Sequence, residues 1–208
     1  MQYPDSTAKG ALRNRRAVVV VLEGVDGSGK SALAAALMLA GRSLGVRVGY
    51  VRTGGHGSLR HGPGVSWAQC VVAVVGRGCF SAPRVWMARR GRDVVIVERG
   101  LWGEISHHPG IGRSPWGQMM LRALSTGRAL RVIVDVREEV VEARISARDG
   151  GGRRNIEDTL YDTRARREAL LLVARSAPER CFLVDGGSDA LGNAAVILRH
   201  TRFMAGVG

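Results

Sequence analysis

The chain has few cysteines and no long hydrophobic segment. Its three cysteines are odd in number and do not have the spacing of zinc ligands. Each cysteine stands beside apolar residues, so we expect small buried side chains in a reducing compartment. No apolar run approaches about 20 residues, which argues against a transmembrane helix. These absences together predict a cytoplasmic protein that does not bind membranes.

Lysine is scarce as well, although the chain is strongly basic. The sequence holds 31 basic and 18 acidic residues, for a net charge of +13, and only Lys9 and Lys30 are lysines. The arginines are spread from Arg13 to Arg202, whereas a nucleic-acid-binding surface usually gathers its charge on one face. We therefore do not expect nucleic acid to be the main partner. The planar guanidinium group suits phosphorylated small molecules instead.

The sequence does contain an alternation of short apolar runs and helical patterns. Its 208 residues, 45% of them hydrophobic, suit one folded domain. Strands are predicted at 17–24, 46–53, 93–100, 129–136 and 180–187, and helices at 31–45, 65–78, 82–91, 114–127, 137–150, 160–174 and 189–204. This order indicates an α/β fold with a parallel sheet covered on both faces. Residues 1–16 are predicted to be a flexible arm, and 17–208 a single domain.

One glycine-rich segment lies between the first predicted strand and the first predicted helix. Residues 24–31 fit the pattern G-x-x-x-x-G-K-[ST] of a P-loop. Such glycines allow backbone N–H groups to converge on phosphate oxygens, beside the N-terminus of a helix. Lys30 would place its charge between the β- and γ-phosphates of ATP, and the Ser31 hydroxyl would ligate Mg²⁺. The predicted nucleotide-binding residues are Gly24, Val25, Asp26, Gly27, Ser28, Gly29, Lys30, Ser31 and Ala32.

A second charged pair follows the third predicted strand. Glu98 and Arg99 stand at its C-terminal end, and in an open α/β sheet this end faces the ligand crevice. A carboxylate there could hold Mg²⁺ or its waters, while the arginine could reach the phosphate of an acceptor. A solvent-exposed ion pair is the alternative interpretation.

Three segments taken together resemble a known family. LEGVDGSGKS, the strand end VIVERG and the basic loop ARDGGGRRNIE occur in this order in the thymidylate kinase-like nucleoside and nucleotide monophosphate kinases. The resemblance covers roughly residues 17–187 and is close only in the P-loop. It implies a P-loop NTPase fold of three layers, with a five-stranded parallel sheet of order 2-3-1-4-5. It also implies a mobile lid that carries arginines.

The resemblance assigns roles to single residues. It implies that Lys30, Asp26, Glu98 and Arg99 are catalytic and that Ser31 and Glu98 organise the metal. Arg52, Arg77 and Arg99 match positions that bind the acceptor. Arg148, Arg153 and Arg154 fall in the lid, around residues 148–156. Some family members carry a catalytic arginine inside the P-loop, and this chain has Asp26, Gly27 and Ser28 there. Phosphoryl transfer needs positive charge on the transition state, so we expect the lid to supply it.

The second strand departs from the family pattern. It ends in Thr53-Gly54-Gly55, where nucleoside kinases have a glutamate that acts as the general base. A phosphate acceptor is already anionic and needs little base assistance, so the change favours such an acceptor. Aromatic residues make up only 5% of the chain, and no base-stacking side chain can be assigned. Four histidines follow the second and third predicted strands, two after each, and do not have a standard metal-ligand spacing: His56, His61, His107 and His108.

The sequence thus predicts a cytoplasmic, Mg²⁺-dependent kinase that transfers the γ-phosphate of ATP to a nucleoside monophosphate. A nucleoside kinase, or a kinase for another hydroxyl metabolite of a specialised pathway, stays open, with Glu98 as base. A regulatory protein that only binds nucleotide is the non-enzymatic alternative. The apolar segment at 65–75 could supply a homodimer surface or belong to the core.

Overall fold

The computed structural model describes residues 17–53, 67–100, 129–148, 156–176 and 181–204, together with Pro115, Met119 and Pro178. The predicted arm at 1–16 and most of the predicted helix at 114–127 lie outside these ranges. The central part of the predicted lid, at 149–155, lies outside them as well.

Five parallel strands form one sheet in the described part of the chain. They are β1 (Val18–Glu23), β2 (Val48–Arg52), β3 (Val94–Glu98), β4 (Ala129–Asp135) and β5 (Cys181–Asp185). Their order is β2-β3-β1-β4-β5, which is the predicted order. The two strands beside β1 are almost wholly buried, whereas β2 and β5 at the edges have one buried residue each. Continuous β-branched runs therefore mark the centre of the sheet, as expected for parallel strands covered on both faces.

Helices connect these strands. They are α1 (Lys30–Ser43), α2 (Trp67–Ala88), α3 (Glu138–Arg148), α4 (Ile156–Ser176) and α5 (Ala190–Met204). The prediction of two helices between 65 and 91 is wrong, because α2 is continuous and contains Pro83. Proline lacks the N–H group for the helical hydrogen bond, which is why the sequence suggested a break.

Alternate residues of the strands pack against helices on opposite faces. On one face, Val20 and Leu22 of β1 belong to a cluster that includes Leu37 of α1 and Ile197 of α5. On the other face, Val21 of β1 packs with residues of β2, β3 and α2. Helix α4 lies on this second face, where its Arg167 binds Asp135 of β4. The sheet is therefore the middle of three layers.

Helix α1 ends where its sequence predicts. Gly45 adopts the left-handed conformation (φ 68°), and its N–H donates to Arg42 O at 3.1 Å. Val46 N–H donates to Gly41 O at 2.8 Å. This pair of bonds is a Schellman motif, in which glycine occupies the left-handed position. It directs the chain into β2, the strand that carries Tyr50 and Arg52.

Two expectations from composition concern the burial of the cysteines and membrane-spanning helices. Cys79 is exposed on α2, so the expected burial of the cysteines is wrong for this residue, and Cys181 is partly buried. The apolar neighbours of Cys79 are themselves partly exposed on the helix, and Phe80 has an exposed fraction of 79%. Across the described ranges, every helix is too short or too polar to cross a membrane.

Candidate functional site

The loop from residue 24 to 31, called the glycine loop below, joins β1 to α1 at the C-terminal edge of the sheet. Three of its glycines have positive φ angles: Gly24 at 152°, Gly27 at 79° and Gly29 at 97°. A Cβ atom on Gly24 would lie 2.7 Å from the Ser28 hydroxyl oxygen. Side chains are disfavoured at these positions, so the sequence dictates the shape of the loop.

The glycine loop turns directly into the N-terminus of α1. Gly29 holds the N-cap position and, having no side chain, leaves the first N–H groups of the helix without a side-chain cap. Lys30 folds back over the loop, where its Nζ donates to Gly24 O at 2.9 Å and Val25 O at 2.5 Å. The Ser28 hydroxyl lies 3.3 Å from the same nitrogen. Unpaired backbone donors and a cation thus meet at one point, which suits a phosphate group.

The Lys30 ammonium group is buried, with an exposed fraction of 6%. Burial lowers its pKa to about 8, against an ordinary value of 10.5. The charge of Asp26 opposes this shift, and the charges of Arg99 and Arg166 add to it. An anion bound in the loop would restore favourable surroundings for the cation. The buried Lys30 ammonium group therefore favours the binding of an anion in the glycine loop.

Glu98, the last residue of β3, is the buried carboxylate beside the loop, with an exposed fraction of 2%. Ser31 Oγ, in the first turn of α1, donates to Glu98 Oε1 at 2.6 Å. The Tyr50 hydroxyl, from β2, donates to Glu98 Oε2. One carboxylate therefore ties the beginning of α1 to two neighbouring strands.

Electrostatics keep this carboxylate ionised. Burial by itself would raise the pKa of Glu98, but the hydrogen bonds from Ser31 and Tyr50 lower it below its ordinary value. The positive charges of Arg52 and Lys30 lower the pKa further. Conversely, burial and the bond to Glu98 raise the pKa of Tyr50 to about 12, so the phenol stays a donor. The carboxylate carries a full negative charge near neutral pH.

Arg99 follows β3 in a left-handed conformation, with φ at 67°, the one non-glycine residue of the described chain with positive φ. Its N–H donates to Leu22 O at 3.1 Å, and its Nη2 donates to Asp26 Oδ1 at 2.8 Å. Its Nε is buried without a hydrogen-bond partner in the described residues. Strain of this kind collects at functional sites, where a side chain must point in one direction.

Thr53 fixes the ends of β2 and β3 to each other. Its Oγ1 donates to the main-chain oxygen atoms of Glu98, at 3.2 Å, and Arg99. Both hydrogen bonds of the Thr53 hydroxyl therefore go to the backbone. Next to it, Arg52 stands opposite Glu98 in the parallel register and lines the same cavity.

The loop after β5 closes the other side of the site. A Cβ atom on Gly186 would lie 2.2 Å from Ser28 O, so only glycine allows this approach to the glycine loop. Arg144 of α3 joins the two loops, because it donates to Gly27 O at 3.0 Å and to Gly186 O at 3.1 Å. Asn193, in the first turns of α5, also reaches the cavity.

A buried pair supports the site from below. Glu23, the last residue of β1, has an exposed fraction of 1% and lies 4.0 Å from Nη1 of the buried Arg131 in β4. A Cβ atom on Gly100 would lie 2.2 Å from Glu23 Oε1, so the chain after Arg99 passes directly over this carboxylate. Glu23 acts in the support of the strand ends and does not line the cavity.

Together these elements enclose a cavity of about 510 Å³. Its lining comes from six separate stretches of the chain: Asp26, Gly27, Gly29–Leu33, Arg52, Glu98, Arg99, Val134, Arg144, Ile145, Gly186, Ser188, Ala190 and Asn193. The cavity has the size of a small-molecule site and combines apolar walls with a few converging charges.

The structure brings together six of the charged or hydroxyl residues predicted from sequence: Asp26, Lys30, Ser31, Arg52, Glu98 and Arg99. Arg77 lies in α2 and Arg148 ends α3, but their side chains are outside the described set. Arg153, Arg154 and the four histidines His56, His61, His107 and His108 also lie outside the described residues.

Among the lining or supporting residues that sequence reasoning missed are Tyr50, Arg144, Gly186 and Asn193. Tyr50 had a signal, because it stands two residues before Arg52 and shares its face of the strand. Gly186 had one too, since glycine next to a strand marks a close backbone approach. Arg144 and Asn193 are ordinary helix-surface residues in the sequence, and only the packing of the loops shows their position.

Compared with known proteins, the chain matches no protein-family model and no curated protein sequence. The geometry of the site therefore carries the functional argument.

Proposed function

We propose that the protein is an ATP-dependent small-molecule kinase that phosphorylates a nucleoside monophosphate. The observation that carries the proposal is the contact between the Ser31 hydroxyl and the Glu98 carboxylate, at 2.6 Å, beside the buried Lys30. A phosphate-binding loop, its cation and an ionised carboxylate then stand at the C-terminal edge of a parallel sheet. In such sheets this edge is where ligands bind.

The donor set suits Mg²⁺. Hydroxyl and carboxylate oxygens are the ligands that this ion prefers. Ser31 donates its hydrogen to Glu98, so the lone pairs of its oxygen remain for a cation. When bound, Mg²⁺ would neutralise charge on the phosphates of ATP.

The residues of the chain divide the remaining work. Amide groups of the glycine loop and Lys30 hold the phosphates of the donor. Arg99 and Arg52 hold the acceptor phosphate, with Arg77 as a further candidate from sequence. The lid arginines Arg148, Arg153 and Arg154 stabilise charge on the transferring group, as sequence reasoning expects. The P-loop kinase fold and a thymidylate kinase-like relationship are part of this proposal.

The nature of the acceptor follows from how Glu98 is bonded. Both of its oxygens accept hydrogen bonds, from Ser31 and Tyr50, and its pKa is lowered. A carboxylate so stabilised is a weak general base, which disfavours a hydroxyl acceptor. An acceptor that is already a phosphate does not need such a base. The second candidate, a hydroxyl kinase, requires Glu98 to release one of these bonds.

A homodimer and a cytoplasmic location complete the proposal. Val72 and Phe80 on α2 have exposed fractions of 70% and 79%, which supports a partner surface on this helix. The partly buried Cys181 is compatible with a reducing compartment.

The test is release of ADP from Mg-ATP with a panel of acceptors: ribo- and deoxynucleoside monophosphates, their nucleosides, and no acceptor. We expect turnover with one monophosphate well above the rate without acceptor. Turnover with a nucleoside instead would make Glu98 the general base. ATP binding without turnover on any acceptor would favour the regulatory alternative.

A further inference from the structure

Tyr50 has a hydrogen-bonded hydroxyl group, whereas its aromatic ring is partly exposed. It is the third residue of β2 and 39% exposed, so packing does not explain an aromatic side chain here. Its hydroxyl donates to Glu98 Oε2, opposite the oxygen that accepts from Ser31. The carboxylate is therefore held from two sides and cannot rotate about its terminal bond without breaking one contact.

The register of the sheet explains why tyrosine fits. Arg52 is the residue of β2 opposite Glu98, and Tyr50 lies opposite Ile96, two residue pairs closer to the start of the strands. Residues two apart share a face and are separated by about 6.6 Å along the strand. A side chain at position 50 must therefore be long and end in a donor to reach the carboxylate. Phenylalanine would cover the same surface without the hydrogen bond.

A carboxylate without this restraint would have other partners. The charges of Arg52 and Lys30 both act on Glu98. Rotation toward either one would draw Oε1 away from Ser31 and occupy a cation that the phosphates need. The hydrogen bond from Tyr50 prevents this rotation of the carboxylate. Because the hydroxyl is neutral, it adds no charge to the site.

We infer that Tyr50 is a positioning residue: its hydroxyl orients Glu98 and thereby couples nucleotide binding to a divalent cation. The inference rests on the proposed function, in which Ser31 and Glu98 organise Mg²⁺. Tyr50 itself touches neither the nucleotide nor the reacting atoms in this role. Its effect belongs to the metal-dependent part of the binding only.

The test compares Tyr50→Phe with the wild-type chain by calorimetry of ADP binding, in excess Mg²⁺ and in EDTA. We expect equal affinities in EDTA, within about twofold, and a loss of about three- to tenfold in the gain that Mg²⁺ provides. Mn²⁺ binding to the ADP complex, followed by electron paramagnetic resonance, should weaken by a similar factor. Ser43→Ala is the matched control, because its hydroxyl bonds only to a helix carbonyl, that of Ala40.

A double-mutant cycle sharpens the result. In a Glu98→Gln background, Tyr50→Phe should have no further effect on the Mg²⁺ gain, because both changes act on one contact. Additive losses would overturn the inference. So would an equal loss of ADP affinity with and without Mg²⁺, since that indicates a general structural role.

The outcomes also separate this inference from the proposed function. If Mg²⁺ strengthens ADP binding to the wild type and to Tyr50→Phe equally, the inference fails and the proposed function stands. If Mg²⁺ has no effect on the wild type, the metal site itself fails, and the inference fails with it.

Discussion

Two arginine–aspartate pairs stand at opposite edges of the sheet, and they differ in quality. At the amino-terminal edge, Arg47 contacts Asp93 through Nη2 at 2.8 Å, Nε at 3.1 Å and its main-chain N–H at 2.9 Å. At the carboxyl-terminal edge, Arg99 contacts Asp26 at 2.8 Å through Nη2, with its backbone left-handed and its buried Nε without a partner among the described residues.

The pair with the better geometry is the one that matters less. Arg47 and Asp93 are both exposed, and exposed ion pairs contribute little to stability. Arg99 has a strained, left-handed backbone conformation, and its guanidinium group lies beside the glycine loop. Under the proposed function, the carboxyl-terminal edge binds the ligands and the pair at the amino-terminal edge takes no part in binding. Three predictions test this division.

The largest effect is expected at Lys30. Lys30→Ala should lower turnover by about a hundredfold or more, because the transferring phosphate loses its nearest cation. The midpoint of thermal unfolding should not fall, since the change also removes a buried charge. Arg47→Ala, at the other edge, should leave turnover unchanged. Steady-state kinetics and thermal unfolding of both variants test this prediction. Near-normal turnover of Lys30→Ala would contradict the proposal that the glycine loop holds the transferring phosphate.

The second effect is a pH dependence that originates in the same side chain. The pKa of Lys30 is lowered to about 8, so above that pH the free protein must take up a proton to bind ATP. Affinity for ATP should then fall by up to about tenfold per pH unit, measured by calorimetry.

Stability should follow the opposite trend. Between pH 8 and 10.5 the unfolded chain keeps the Lys30 proton and the folded chain does not, so the free energy of unfolding rises with pH. Lys30→Met should lack both trends. A parallel pH profile in wild type and Lys30→Met would show that other groups are responsible.

The smallest effect concerns the strained arginine. Arg99→Gly relieves the left-handed backbone, so the free energy of unfolding should stay the same or rise by up to about 1 kcal/mol. The ratio kcat/KM should fall by about ten- to a hundredfold, because the acceptor loses a charged donor. Arg47→Ala should change the free energy of unfolding by less than about 1 kcal/mol and leave kcat/KM as it was. Equal behaviour of the two variants would cancel the distinction between the edges.

Local patterns in the sequence were sufficient to predict the strands of the sheet and the position of the glycine loop. The run from Val18 to Leu22 has no polar residue and predicts a central strand, and the glycines that follow it leave few alternatives for the backbone. Strand ends in a parallel sheet meet at one edge, so Glu98 and Arg99 were predictable neighbours of Lys30. The strand order itself came from the family resemblance.

Contacts between distant segments could not be predicted in the same way. The break expected between residues 78 and 82 does not occur, and the helix continues through Pro83. Proline removes one helical hydrogen bond and leaves the others of the 22-residue helix in place. Arg144 looks like any exposed arginine of a basic chain until the glycine loop and Gly186 are seen on either side of it. The contact of Tyr50 with Glu98 depends on strand register, which apolar patterns do not specify for an edge strand.

The approach of Gly186 to Ser28 has a consequence for biosynthesis. The backbone against which the glycine loop rests is synthesised almost 160 residues after the loop itself. Contacts so distant along the chain form late, after the loop-closing entropy has been overcome. A nascent chain that stops before β5 therefore carries the whole glycine loop without the backbone that it rests against. Such fragments should not compete with the finished protein for ATP.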